Sequence, residues 1–261
     1  MTMSTRTAPI VDVGELEVKV QEMYREVAEH PEGSFHFELG HGLAERLGYP
    51  AMILEEIPAP AVESFAGVGY FFDLAQLVTG ESVVDLGSGS GMDVFFAAME
   101  VGQSGHVTGI DMTPAQLAKA DGLRVAFGFG KVTFIDGHID AVPLPDASVD
   151  VVISNGVINL AADKQLVFAE AARVLRSGGR LAIADIVTEV ALPEQVVANT
   201  DLWASCIGGA AHEDTYQRAI ETAGFTIAEI KRNPYQFISD QARGASSSYG
   251  VKSVSFLAHK L

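Results

Sequence analysis

Apolar residues along this chain fall into two rhythms that alternate from residue 80 onward. Short runs rich in Val, Ile and Leu occupy 82–86, 106–110, 132–135, 149–154, 180–186, 225–231 and 251–259. Between the earlier ones lie longer stretches, near 92–100, 114–126, 163–175 and 212–223, whose apolar positions recur every three or four residues. The short runs read as strands and the periodic stretches as helices. Their alternation predicts an α/β fold: a seven-stranded, mostly parallel sheet with helices on both faces. The last two strand-like runs, separated by Asn233-Pro234 and a polar segment, predict an antiparallel addition at one edge. Ala245-Ser-Ser-Ser-Tyr249 reads as a short flexible linker.

The N-terminal part follows a different pattern. Residues 15–29 place Leu16, Val20, Met23, Tyr24 and Val27 on one face and acids on the other, which predicts an amphipathic helix ended by His30-Pro31-Glu32-Gly33. Residues 34–50 combine aromatics, two histidines and three glycines, too irregular a mixture for a plain core element. We therefore read 1–78 as a helical extension covering the ligand end of a main domain at 79–261. The aromatic residues of the cover (Phe35, Phe37, Tyr49, Phe65, Tyr70, Phe71 and Phe72) suit a small, partly apolar ligand.

The stretch Glu81-Ser-Val-Val-Asp-Leu-Gly-Ser-Gly-Ser-Gly-Met-Asp93 carries the clearest chemistry. A strand runs into Gly87, Gly89 and Gly91, and a helix-like run begins at once. Glycines at such a turn allow positive φ and close approach of the backbone to a ligand, and the helix start offers free N–H groups. Asp85 adds a negative charge at the strand end. A pyrophosphate is disfavoured there, whereas a ligand with an ammonium or sulfonium, such as S-adenosylmethionine (SAM), is favoured. The second strand ends at Asp111-Met112, so Asp111 either accepts hydrogen bonds from ribose hydroxyls or caps the helix that Thr113-Pro114 begins. Gly137, His138 and Ile139 follow the third strand, where an adenine would sit; His138 faces the adenine amine or is a polar rim residue. Asn155 ends the next strand at the same edge.

Charge and cysteine content narrow the partners. The 261 residues carry a formal net charge of −17, which argues against nucleic acid or an anionic membrane surface. The lone Cys206 excludes an internal disulfide and an all-cysteine zinc site. No metal site is expected. With no apolar signal core and no run long enough to span a bilayer, the expected location is cytoplasmic.

The chain resembles the class I SAM-dependent methyltransferases. Val84-Asp-Leu-Gly-Ser-Gly-Ser-Gly is similar to their SAM-binding turn and Gly109-Ile-Asp-Met-Thr to their ribose segment. Ser148–Asn155 and Arg173–Asp185 are similar to their fourth and fifth strands. The resemblance implies a Rossmann-like sheet, SAM as methyl donor and S-adenosyl-L-homocysteine (SAH) as product. It also implies a donor site of Asp85, Gly87, Ser88, Gly89, Asp111, Met112, Gly137, His138, Ile139 and Asn155, while Tyr70 either contacts the methionine end or packs.

Within that superfamily the chain resembles the bacterial arsenite methyltransferases, from the Leu-Gly-Tyr49 segment through Ile153–Leu160 and Leu202–Ala210 to the final strand. Those enzymes hold trivalent arsenic with thiolates from three loops. Here Val68, in Gly67-Val68-Gly69, and Gly156 stand at two of those positions, and only Cys206 remains. Cysteines near their N-terminus are replaced by Phe35-His-Phe-Glu38. One thiolate does not make the multi-sulfur site a soft metalloid prefers. The implied activity is methyl transfer to a small-molecule metabolite on O, N, S or C. The alternatives are an arsenite methyltransferase using external thiols and a non-catalytic SAM-binding module. His36, Glu38 and His41 are the acceptor-side catalytic candidates, the histidines serving as bases or as polar residues of a lid.

Overall fold

The computed structural model describes residues 11–200, 203 and 207–261. Cys206 lies outside the described residues. Helix α1 (Val13–Glu29) is capped by Asp12, whose side chain accepts the Glu15 N–H at 3.0 Å, and buries Leu16, Val20 and Val27 as its apolar stripe predicts. Four short helices follow: α2 (His41–Leu47), α3 (Ala51–Leu54), α4 (Ala59–Glu63) and α5 (Phe72–Ala75). Then come β1 (Ser82–Leu86), α6 (Met92–Val101), β2 (His106–Asp111), α7 (Pro114–Ala126), β3 (Val132–Asp136) and β4 (Val149–Asn155). The chain ends with α8 (Lys164–Val174), β5 (Leu175–Thr188), α9 (Glu194–Val197), β6 (Ala211–His212), α10 (Glu213–Thr222), β7 (Phe225–Arg232), α11 (Asp240–Tyr249) and β8 (Lys252–Lys260).

The sheet order is β3-β2-β1-β4-β5-β8-β7, parallel except that β8 runs antiparallel to both β5 and β7. Side chains alternate between its faces. Val83, Val151, Ile153 and Ala182 face one core, shared with α1, α2, α5 and α6. Val84, Val152, Leu181 and Ile183 face the other, shared with α8 and α10. Because the N-terminal helices join the first core, residues 11–78 are packed onto the sheet. Strand order reverses between β1 and β4, so the crevice outside their carboxyl ends is where an open α/β sheet takes its ligand.

Two elements differ from the sequence expectation. The two-residue strand β6 pairs in parallel with β5 through Val187 and Thr188, and brings the sheet to eight strands. It is too short to carry a periodic signal. The Ala245–Tyr249 segment belongs to helix α11 and is not a linker. Ser239 caps this helix by accepting the Ala242 N–H at 3.2 Å, Gly250 ends it in a left-handed conformation, and Ala242 is buried. Among the described residues, no helix is long and apolar enough to cross a membrane.

Candidate functional site: a cavity at the β1–β4 switch point

The turn after β1 is built by positive φ at Gly87 (78°), Gly89 (52°) and Gly91 (93°). A Cβ at Gly87 would stand 2.5 Å from the Val157 side chain, so this position needs glycine for space as well as for φ. The Gly87 and Ser88 N–H groups both donate to the Ile110 carbonyl, at 2.8 and 2.9 Å, which ties the turn to the end of β2. Asp111 reinforces that link. Its carboxylate accepts the Gly89 N–H and the Thr113 N–H, both at 2.8 Å, so it bonds the turn and the start of α7 together while also lining the cavity.

That cavity, of about 160 Å³, brings together ten of the expected donor-site residues: Asp85, Gly87, Ser88, Gly89, Asp111, Met112, Gly137, His138, Ile139 and Asn155. Its roof comes from α1 (Leu16, Val20, Tyr24), with Phe65 and Gly67 from the segment after α4. Gln116 holds the roof down: its Nε2 donates to the Tyr24 carbonyl at 2.8 Å while its Oε1 accepts from Ser90 at 2.5 Å. At the mouth, the half-exposed imidazole of His138 lies 3.7 Å from Glu17 of α1.

Two buried polar atoms in the lining have no hydrogen-bond partner among the described residues: Asp85 Oδ1 and Ser88 Oγ. An orphaned buried carboxylate oxygen is costly unless a ligand satisfies it. Asp85 is 2% exposed, and burial, with Asp93 and Asp111 nearby, pushes its carboxyl well above the usual range. An ammonium-bearing ligand fits that oxygen. Burial raises Asp111 as well, against the backbone N–H groups of Thr113 and Gly89.

A network not foreseen from the sequence lies beside Asp85. Asp93, in the first turn of α6, accepts the Tyr49 hydroxyl at 2.6 Å and Asn155 Nδ2 at 3.0 Å. Asn155 Oδ1 accepts the Val68 and Gly69 N–H groups at 2.8 and 3.2 Å. Burial raises the Asp93 carboxyl to about 6, while the bonds from Tyr49 and Asn155 pull it down. One asparagine thus joins the end of β4, the N-terminal cover and the helix after the glycine turn. The available signal was Asp93 itself, two residues past the last glycine of the turn.

The other candidates lie elsewhere. Tyr70 is not among the lining residues; its ring packs edge-on against Tyr49 at 4.9 Å, with Lys231 Nζ 5.6 Å from its centroid. His36 packs against Phe37, with ring centroids 4.6 Å apart. Glu38 pairs with Arg46, and His41 is exposed on α2, 3.6 Å from Glu45. The structure does not bring His36, Glu38 or His41 into the cavity lining.

Comparison with known proteins matches residues 77–224 to a methyltransferase domain family, which spans the glycine turn and the elements from β1 through α10. The chain is also 43% identical over 199 residues, 76% of its length, to the arsenite methyltransferase of Halobacterium salinarum. It belongs to the class I SAM-dependent methyltransferases, close to the arsenite methyltransferases. An arsenic(III) SAM methyltransferase from Chlamydomonas reinhardtii superposes with a TM-score of 0.65 at 32% identity, covering 84% of this chain and 73% of that one. Geranyl diphosphate C-methyltransferase from Streptomyces coelicolor, solved with SAH, shares the fold at a TM-score of 0.66 and 17% identity, covering 93% and 98%. This methyltransferase chain spans about half the length of the first curated relatives it matches, 51% of the H. salinarum protein.

Proposed function

We propose that this methyltransferase binds SAM in the cavity at the β1–β4 switch point and transfers the methyl group to a small, partly apolar organic acceptor. When bound, the donor supplies an electrophilic methyl on a sulfonium. The contribution of the chain is alignment and exclusion of water, which suffice for an in-line displacement. In this reading Asp85 takes the ammonium of the donor and Asp111 the ribose hydroxyls, while α1 and Phe65 close over the occupant. Residues 1–78 act as the cover.

The observation that carries the acceptor reading is the pairing of Val68 with Gly156. Val68 Cγ1 lies 3.1 Å from where a Cβ on residue 156 would stand. These are two of the positions at which the resemblance to arsenite methyltransferases expects thiolates, and neither carries sulfur. Both adjoin cavity residues, Gly67 on one side and Asn155 and Val157 on the other. An apolar side chain against a glycine suits carbon better than a soft metalloid.

A second reading, arsenite methylation with thiols borrowed from glutathione, is favoured by the 43% identity to the H. salinarum enzyme. Labelled methyl transfer from SAM separates the two. The first reading expects label in members of a panel of small organic acceptors and none in arsenite with excess glutathione. Arsenite turnover would replace it with the second.

A further inference from the structure

The segment between β5 and β6 (189–210) supplies no lining residue to the cavity among its described positions, yet it is fastened to two of the cavity walls. One tie is Thr200, which is buried. Its hydroxyl accepts from Lys19 Nζ at 2.7 Å and donates to Glu15 Oε1 at 3.0 Å. Glu15 and Lys19 also pair with each other across one turn of α1 at 2.9 Å. Leu16 and Val20, beside them in the same helix, line the cavity. The other tie is Trp203, also buried. Its N–H donates to the Asn199 carbonyl at 3.1 Å and its Nε1 to the Val197 carbonyl at 2.5 Å, which folds the turn carrying Thr200 onto the ring. Lys164 Nζ lies 4.9 Å from the centre of that ring and donates to the Asn159 and Ala161 carbonyls at 3.1 and 3.0 Å. Leu160, Ala161 and Ala162 line the cavity. The fit is close: a Cβ at Gly209 would stand 1.9 Å from the Asn159 carbonyl oxygen and 2.8 Å from Trp203 Cε3.

The Thr200 tie joins two units that close their own backbone bonds. Asp12 caps α1, and in α9 the Val196 and Val197 N–H groups donate to the Pro193 carbonyl at 2.9 and 3.1 Å. The hydroxyl therefore links the units without building either one, across 181 and 185 residues of sequence. Both of its partners are charged, which makes such bonds stronger than neutral ones. Position gives the tie its meaning. The expected donor residues stand mainly at the ends of β1, β2 and β3. The 189–210 segment leaves the end of β5 and packs on the loop after β4, the side of the sheet edge left for an acceptor.

We propose that Thr200 is a positioning residue: it fastens the β5–β6 segment to α1, so that a donor holding α1 also sets this segment as a wall for the acceptor. The coupling arises because α1 is held differently over an occupied and an empty cavity. Its consequence is an order of events, donor before acceptor. Trp203 and Lys164 anchor the far end of the segment on the loop after β4, so that fixing Thr200 fixes the stretch between the two ties.

This inference rests on the reading of the cavity as a SAM site. The test is amide hydrogen exchange of the full chain, read by mass spectrometry with and without SAM. In the unaltered chain SAM is expected to slow exchange in α1 and also in 189–200, there by about tenfold, the scale of one hydrogen bond to a charged group. Thr200→Val keeps the shape and loses the hydroxyl. In that variant the slowing is expected to persist in α1 and to shrink to about twofold or less in 189–200, the tie being gone. Thr200→Ser, which keeps the hydroxyl, is expected to restore it. Should Thr200→Val fail to fold, Lys19→Met removes the tie from the helix side and is expected to give the same pattern. Slowing in 189–200 that is equal in Thr200→Val, or absent from the unaltered chain while α1 slows, overturns the coupling and leaves the donor site standing. No SAM binding by calorimetry overturns both.

Discussion

Replacing Asp85 by asparagine separates what the fold needs from what the donor needs. In the ligand-free protein this carboxylate is buried, one of its oxygens lacks a hydrogen-bond partner among the described residues, and Asp93 and Asp111 are close by. Leaving a buried charged group unsatisfied costs about 1–3 kcal/mol. Asp85→Asn removes the charge at nearly constant volume, so the ligand-free variant is expected to gain about that much. For a chain of this size the gain corresponds to a rise in Tm of about 2–4 °C per kcal/mol.

The pH dependence follows from the raised carboxyl. Well below the ordinary value of 3.8, Asp85 is protonated folded and unfolded alike, and the amide has no advantage. As pH rises from there towards the raised folded value, the native chain loses stability while the variant does not. The advantage is fully developed above the folded value. Affinity moves the other way: losing a charge-assisted hydrogen bond of about 1.5–3 kcal/mol weakens SAM roughly 10- to 150-fold. Thermal unfolding without ligand and calorimetric titration with SAM check both halves. A variant that melts lower and binds SAM as before would make Asp85 a structural residue and refute the reasoning.

Other substitutions follow from the same geometry. Asp93 is held near 6, and a cationic occupant favours its ionised form, so SAM affinity should be full above that pH and fall below it. Tyr49→Phe, which removes a bond that lowers Asp93, should move the midpoint of that fall to higher pH; calorimetry between pH 5 and 8 reads both. Gly67→Ala should destabilise strongly, because its Cβ would stand 2.3 Å from Phe65 Cζ and 2.6 Å from Asn155 Nδ2, as a drop in Tm would show. Gly156→Cys alone should lower Tm, being at φ +74° and against Val68, and pairing it with the smaller Val68→Cys should recover part of the loss. The paired variant should also methylate arsenite in the presence of glutathione, assayed by labelled transfer, and the unaltered chain should not. His41→Ala should leave SAM affinity unchanged, since that side chain is exposed, lies 3.6 Å from its helix neighbour Glu45 and is outside the cavity lining.

Much of the architecture was legible because it rests on local repetition. Alternating strand and helix rhythms are enough to place β1 to β5 and the helices between them. The glycines at 87, 89 and 91 mark the turn because few other residues reach those φ values, and at 87 a Cβ would also meet Val157. The missed elements lack such repetition. β6 is two residues long, and α11 has a serine-rich sequence fixed in place by the Ser239 cap and the burial of Ala242.

In the site, ten of the residues that line the cavity were readable from strand-end and turn positions. The Tyr49–Asp93–Asn155 network was not, since its members are 44 and 62 residues from Asp93 and meet only when the cover packs on the sheet. The same long-range packing decides His36, which was a catalytic candidate by residue type and which the fold places against Phe37 outside the cavity lining.

The central claim is that this cavity holds SAM through the glycine turn and Asp111. A calorimetric titration of SAM into the unaltered chain and into Asp111→Ala tests it most directly. One SAM per chain, with affinity falling at least tenfold in the variant, is the result predicted from the two backbone bonds and the ribose partner that Asp111 provides. No binding by the unaltered chain, or equal binding by both proteins, would contradict it.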